Sequence, residues 1–132
     1  MSNAPYPLNR TAYLLVDPYN DFLSENGKVF PLIKPIAEQV GLLDNLRALD
    51  RAVRAQNIPV IIVPHHRWEH GDYEGWDHPT PTQCKIMHMH HFARGEWGGE
   101  WHPDFAPKDG DIVVQEHWGS SGFANTDLDF RL

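Results

Sequence analysis

Two short, almost wholly apolar runs constrain this chain most: Thr11–Val16 (TAYLLV) and Pro59–Pro64 (PVIIVP), separated by a long helical pattern. Such runs, lacking polar alternation, read as strands buried on both faces, the habit of a parallel sheet. From Ile33 the apolar positions Ile36, Ala37, Val40, Leu43, Leu46, Leu49 and Val53 recur at intervals of three and four, with Pro35 near the start. This predicts one helix from Ile33 to Gln56, ended by Asn57. A crossover of that length suits a right-handed parallel βαβ unit. A third strand, from Asp111 to Gln115 or Glu116 (DIVVQE), follows the turn sequence Pro107-Lys108-Asp109-Gly110. The predicted class is α/β with a parallel sheet.

With 132 residues, 41% of them hydrophobic, the chain forms one domain, residues 1–132. Eighteen acidic against eleven basic residues give a formal charge of −7, which argues against a surface that neutralises phosphates, so nucleic acid is not an expected partner. No apolar run approaches the roughly 20 residues of a membrane helix. The opening MSNAPYPLNR lacks the apolar core of a signal peptide. A cytoplasmic protein without membrane contact is expected. The single Cys84 rules out an internal disulfide and reads as a small buried apolar residue.

Residues 65–110 differ in composition. They hold eight of the nine histidines and four of the five tryptophans, with little regular periodicity. A connection this long is expected to be functional: an insertion over the strand ends, with a helical turn around Thr82–Met87. Its aromatic residues Trp68, Tyr73, Trp76, Trp97 and Trp101 suit a pocket wall or an interface. In KIMHMHHF, His88 and His90 alternate as on an extended segment, with a helical contact to a neighbouring subunit as the other reading.

Near the end, Asn125-Thr126 reads as a helix N-cap, with Asp127 and Asp129 in the first turn. The helix it announces is too short to stand alone, and a three-stranded parallel sheet leaves a face and an edge uncovered. The expectation is that the chain continues beyond Leu132 or that another polypeptide completes the fold.

In open parallel sheets ligands bind beyond the carboxyl ends of the strands. Strand one delivers Asp17, with Tyr19, Asn20, Asp21 and Phe22 behind it; strand two delivers His65, His66 and Arg67; strand three delivers Glu116, His117 and Trp118. A carboxylate flanked by apolar and aromatic residues suits general acid or base work. Asp-Pro is also a common turn opener, so a purely structural Asp17 stands beside that reading. His65, His66, His70 and Asp72 offer imidazole and carboxylate donors for zinc, iron or manganese, against a loop whose histidines only hydrogen-bond and stack.

The run LLVDPYNDF resembles the first-strand motif of the isochorismatase-like cysteine hydrolases: an apolar strand ending in Asp, then a second Asp and Phe. DGDIVVQEHWGSSGFANTDLDFRL is similar to that family's third-strand segment. The resemblance spans residues 10 to 132. It implies a three-layer α/β/α sandwich on a six-stranded, Rossmann-like parallel sheet, incomplete in this chain. It also implies hydrolysis of amide or vinyl-ether bonds in small molecules, as in nicotinamidase, carbamoylsarcosine amidohydrolase and isochorismatase. The family employs an Asp, a Lys and a Cys.

Asp17 matches the Asp, as carrier of the thiol proton. The Lys position falls on His117 or Glu116, neither of them lysine; a protonated His117 supplies positive charge over part of the pH range, whereas Glu116 has the opposite sign. Cys84 precedes the third strand and does not match the nucleophile, which is expected beyond Leu132. Tyr19, Phe22, His66, Trp68, Trp118 and Phe123 are the expected substrate contacts. No cofactor is required. Nicotinamidases hold a metal near the second strand through an Asp and His pattern that HHRWEHGDYEGW lacks, so that assignment does not carry over, and His65, His66, His70 and Asp72 are at most weak candidates for a divalent metal. The expected partners are a small-molecule substrate and further copies of the chain in a homo-oligomer. A catalytically inactive relative serving binding or assembly, and a metal-dependent hydrolase using the His65–Asp72 cluster, are the other two functional readings.

Overall fold

The computed structural model describes residues 6–132. In chain order it has β1 (Tyr13–Val16), α1 (Asn20–Leu23), α2 (Phe30–Gln39), α3 (Leu42–Ala55), β2 (Val60–Val63), α4 (Pro81–Met89), β3 (Ile112–Val113) and α5 (Leu128–Arg131), with 3-10 turns at Leu8–Arg10, Trp97–Gly99 and Pro103–Phe105. The strands form one parallel sheet in the order β1-β2-β3, pairing Tyr13 with Val60 and Ile61 with Ile112. The central strand is buried along its whole length, as its unbroken Val-Ile-Ile-Val requires.

Alternate residues of β2 feed two apolar clusters. Ile62 joins Leu15, Leu23 and Phe105 on one face, with Leu42, Leu43 and Leu46 of α3 packed over them. Ile61 and Val63 join Val114 and Leu128 on the other, where α5 provides the cover. Helices thus lie on both sides of a parallel sheet, the α/β/α arrangement predicted. Among the described residues no helix is long and apolar enough to cross a membrane.

The single helix predicted from Ile33 to Gln56 is two helices. Gly41 adopts a left-handed conformation (φ 59°), and the Asn45 side chain donates to the Val40 carbonyl across the break (2.7 Å). Because α2 begins at Phe30 and not at Ile33, Pro35 lies inside it, not near its start. The break also turns Ile36 and Val40 outward, while Ala37 stays buried. Regular pairing in the third strand stops at Val113; Val114 still donates to the Ile62 carbonyl, but Gln115 N–H turns to the Asp127 carboxylate (2.8 Å). The last helix starts at Leu128, because Asn125 takes a left-handed turn (φ 57°).

The turn expected at Thr82–Met87 is the longer α4, held by a capping box in which Thr80 and Gln83 exchange side-chain to backbone hydrogen bonds. His88 is on that helix and His90 is its left-handed C-cap, so the two do not alternate along an extended segment. Cys84 is half-buried on α4, with Sγ 4.0 Å from the Pro79 carbonyl.

Candidate active site

The three strand ends meet. Past β2 and β3 the ladder continues irregularly: His117 N–H donates to the Pro64 carbonyl, His66 N–H donates to the His117 carbonyl, and His65 pairs with His117 in parallel sense. On the other side of β2, Asp17 N–H donates to the Val63 carbonyl. Asp17 then takes a left-handed conformation (φ 53°), which Asp tolerates better than most residues, and its carboxylate folds over the strand tip. There Oδ1 accepts from His117 Nε2 at 3.0 Å, with the imidazole almost fully enclosed and the carboxylate mostly so.

Burial disfavours a charged His117, but the hydrogen bond and negative charge of Asp17, with the nearby Gly119 backbone, outweigh it and raise its pKa above the ordinary imidazole value. Its Nδ1 is enclosed without a hydrogen bond of normal geometry among the described residues. The His65 ring stands edge-on to His117, centroids 5.0 Å apart, and is turned toward the His66 carbonyl (2.7 Å). A carbonyl only accepts, so His65 Nδ1 carries a proton; burial lowers its pKa and favours the neutral ring.

Glu116 points elsewhere. Its carboxylate accepts from Arg67 Nε (2.7 Å), Arg67 N–H (3.1 Å) and Arg94 Nη2 (2.9 Å), with His66 Nδ1 at 3.3 Å. Burial alone would raise its pKa, but the hydrogen bonds from His66 and Arg67 bring it down to about 2. Arg94 also pairs with Glu69, and His66 Nε2 bonds Asp72 (2.7 Å). This web ties residues 66–72 to the end of the third strand.

A depressed carboxylate pKa contributes stability that is complete above its ordinary value of about 4.5 and is lost as pH falls toward about 2. The difference corresponds to about 3 kcal/mol. Glu116→Gln is therefore expected to lower the urea-derived stability by about 3 kcal/mol at neutral pH, and the gap from the wild type should close as pH approaches about 2. A gap that is independent of pH would contradict this account.

The predicted substrate contacts divide. Tyr19 is wholly buried between Phe92 and Trp101, its hydroxyl donating to the His65 carbonyl (2.8 Å), so it buttresses the strand ends and exposes no atom to a ligand. Phe22 is half-buried, stacked on Phe92, and borders an apolar hollow of about 410 Å³ that also touches Asp17, Val16 and Ile33. Trp68 stacks on His90 with centroids 3.8 Å apart. His66 stacks on Trp118 at 3.7 Å. Phe123 is exposed in the loop before α5.

The proposed metal donors do not converge. His65 and His66 are engaged as described and His70 is exposed in a turn; among the described residues no three His, Cys, Asp or Glu side chains gather to hold an ion. No local pattern points to Arg94 or Phe92, whose contacts depend on how residues 90–102 fold back.

The isochorismatase domain family model matches residues 11–132. A cysteine hydrolase from Pseudomonas syringae pv. phaseolicola 1448A is 27% identical, with a TM-score of 0.65 over 97% of this chain and 55% of its own. N-carbamoylsarcosine amidase from Thermoplasma acidophilum is 27% identical, with a TM-score of 0.61 over 92% of this chain and 59% of its own. An isochorismatase-like hydrolase from Alkaliphilus metalliredigens is 25% identical, with a TM-score of 0.61 over 92% and 56%. The chain thus spans little more than half the length of these structures. Comparison with curated proteins gives no match.

Proposed function

This chain belongs to the isochorismatase domain family, and from that premise we propose that it carries the proton-transfer part of a hydrolytic site acting on an amide-type C–N bond, or a vinyl ether, in a small molecule. The observation that carries the proposal is the Asp17–His117 contact at the ends of β1 and β3. In this reading Asp17 takes the proton of an attacking thiol and returns it to the leaving nitrogen or oxygen. His117 stands where the family has lysine, and its imidazolium offsets the negative charge that builds on the substrate oxygen. The nucleophile is a cysteine beyond Leu132, since Cys84 lies on α4 against Pro79. The domain is 1–132, with residues 65–110 as an insertion around the strand ends.

Turnover of a panel of nicotinamide, carbamoyl and isochorismate-type substrates, by protein that carries that cysteine as well, tests this. The histidine adds a pH signature. Its raised pKa means that the positive charge is present below that value and lost as pH rises through it. Turnover should fall on the alkaline side, by about tenfold per pH unit when the charge is essential, and His117→Lys should move that fall upward. An alkaline limb unchanged in His117→Lys would remove His117 from the mechanism. A second reading, a non-catalytic binding relative, draws on the missing lysine; it predicts ligand binding without turnover by the folded protein.

A further inference from the structure

The strand ends also carry an aromatic assembly that the proposed proton transfer does not use. The indoles of Trp76 and Trp118 face each other, planes 25° apart and centroids separated by 6.3 Å. Tyr73 stands nearly perpendicular to both, at 5.2 Å from Trp76 and 5.8 Å from Trp118, and closes the third side. The fourth is open: Trp76 and Trp118 are 48% and 41% exposed, whereas Tyr73 is 4% exposed. His66 covers the other face of the assembly by lying flat on Trp118. Tyr73 is held there in a left-handed backbone conformation (φ 64°), which an aromatic residue adopts only at an energetic cost, and its hydroxyl is enclosed without a partner among the described residues.

The segment that carries Tyr73 and Trp76 is acidic. Residues 68–79 contain Glu69, Asp72, Glu74 and Asp77 and no lysine or arginine. The nearest arginines in the chain, Arg67 and Arg94, are paired with Glu116 and Glu69. Aromatic rings attract cations through their negative faces, and a quaternary ammonium gives up little hydration on contact. We propose that Trp76 and Trp118, backed by the buried Tyr73, form a two-walled cage for a quaternary ammonium group. The indoles are too close together for a trimethylammonium to pass between them, so it sits at the rim against the two exposed indoles.

Choline, titrated against its neutral isostere 3,3-dimethylbutanol at matched ionic strength, tests this by indole fluorescence and the tryptophan Nε1–H resonances. Saturable choline binding is expected, with the isostere at least about tenfold weaker and Trp76→Leu or Trp118→Leu each weakening choline by about tenfold. Both indoles are half-exposed, so neither truncation opens the core. Trp97→Leu, removing an exposed indole outside the cage, should leave the affinity unchanged. Equal binding of the isostere, full affinity in either cage variant, or no saturation would overturn the proposal. Asp17→Asn should retain choline binding, which separates failure of the cage from failure of the hydrolytic reading.

Discussion

In Asp17→Asn protein that carries the proposed cysteine nucleophile, turnover is expected to fall by at least about a hundredfold, the range over which a positioned acid or base acts, while the fold survives. Two features make this substitution a clean test. Asn is among the few residues that accept the left-handed conformation Asp17 occupies (φ 53°), so the backbone has no reason to move. The carboxamide also keeps a carbonyl oxygen for His117 Nε2, so the contact is retained while the charge is lost. The neighbour should report that loss. Without the Asp17 carboxylate, burial acts on His117 with less opposition, and its pKa should move down in a proton NMR titration. Turnover at the wild-type level with that downward shift present would exclude Asp17 as the proton carrier.

The second large effect belongs to Asp21, the second acidic residue of the same motif. It is 1% exposed, and its carboxylate accepts from Lys28 N–H (2.9 Å) and Phe92 N–H (2.8 Å), binding α1 to the start of α2 and to the far end of the insertion. Asp21→Ala leaves two backbone donors unpaired and should cost about 3 kcal/mol, or about 10 °C in Tm for a domain of this size. Gly98 is pressed against the same carboxylate; a Cβ there would overlap it. Gly98→Ala should therefore destabilise comparably in the wild type yet add little to Asp21→Ala, where the smaller side chain leaves room. Strictly additive denaturation midpoints would show that the two residues do not share one contact.

Much of this arrangement was legible in the sequence because it depends on local pattern. Apolar runs without alternation located the strands, and the residues just after them, Asp17, His65 and His117, had to meet wherever the strands ran parallel. The family resemblance rested on the same strand ends. What was not legible depends on single backbone conformations and on long-range return of the chain. A glycine amid helical periodicity did not announce that Gly41 would break the helix, since the apolar spacing continues on both sides. Nor does sequence spacing connect Glu116 to Arg94, or Asp21 to Phe92, which lie 22 and 71 residues apart. Tyr19 looked like a pocket aromatic for the same reason: its commitment to the His65 carbonyl appears only once residues 92 and 101 close over it.

Asp17 and His117 extend from β1 and β3, which are not neighbours; β2 runs between them. Their backbones are thus roughly two strand spacings apart, about 9.6 Å, and the 3.0 Å hydrogen bond is made by both side chains leaning over the tip of the central strand. The bond acts as a clasp between the outer strands, so the geometry of the sheet edge sets the distance between the carboxylate and the imidazole. A change that moves the ends of β1 and β3 apart lengthens this contact and so separates the acid from its imidazole.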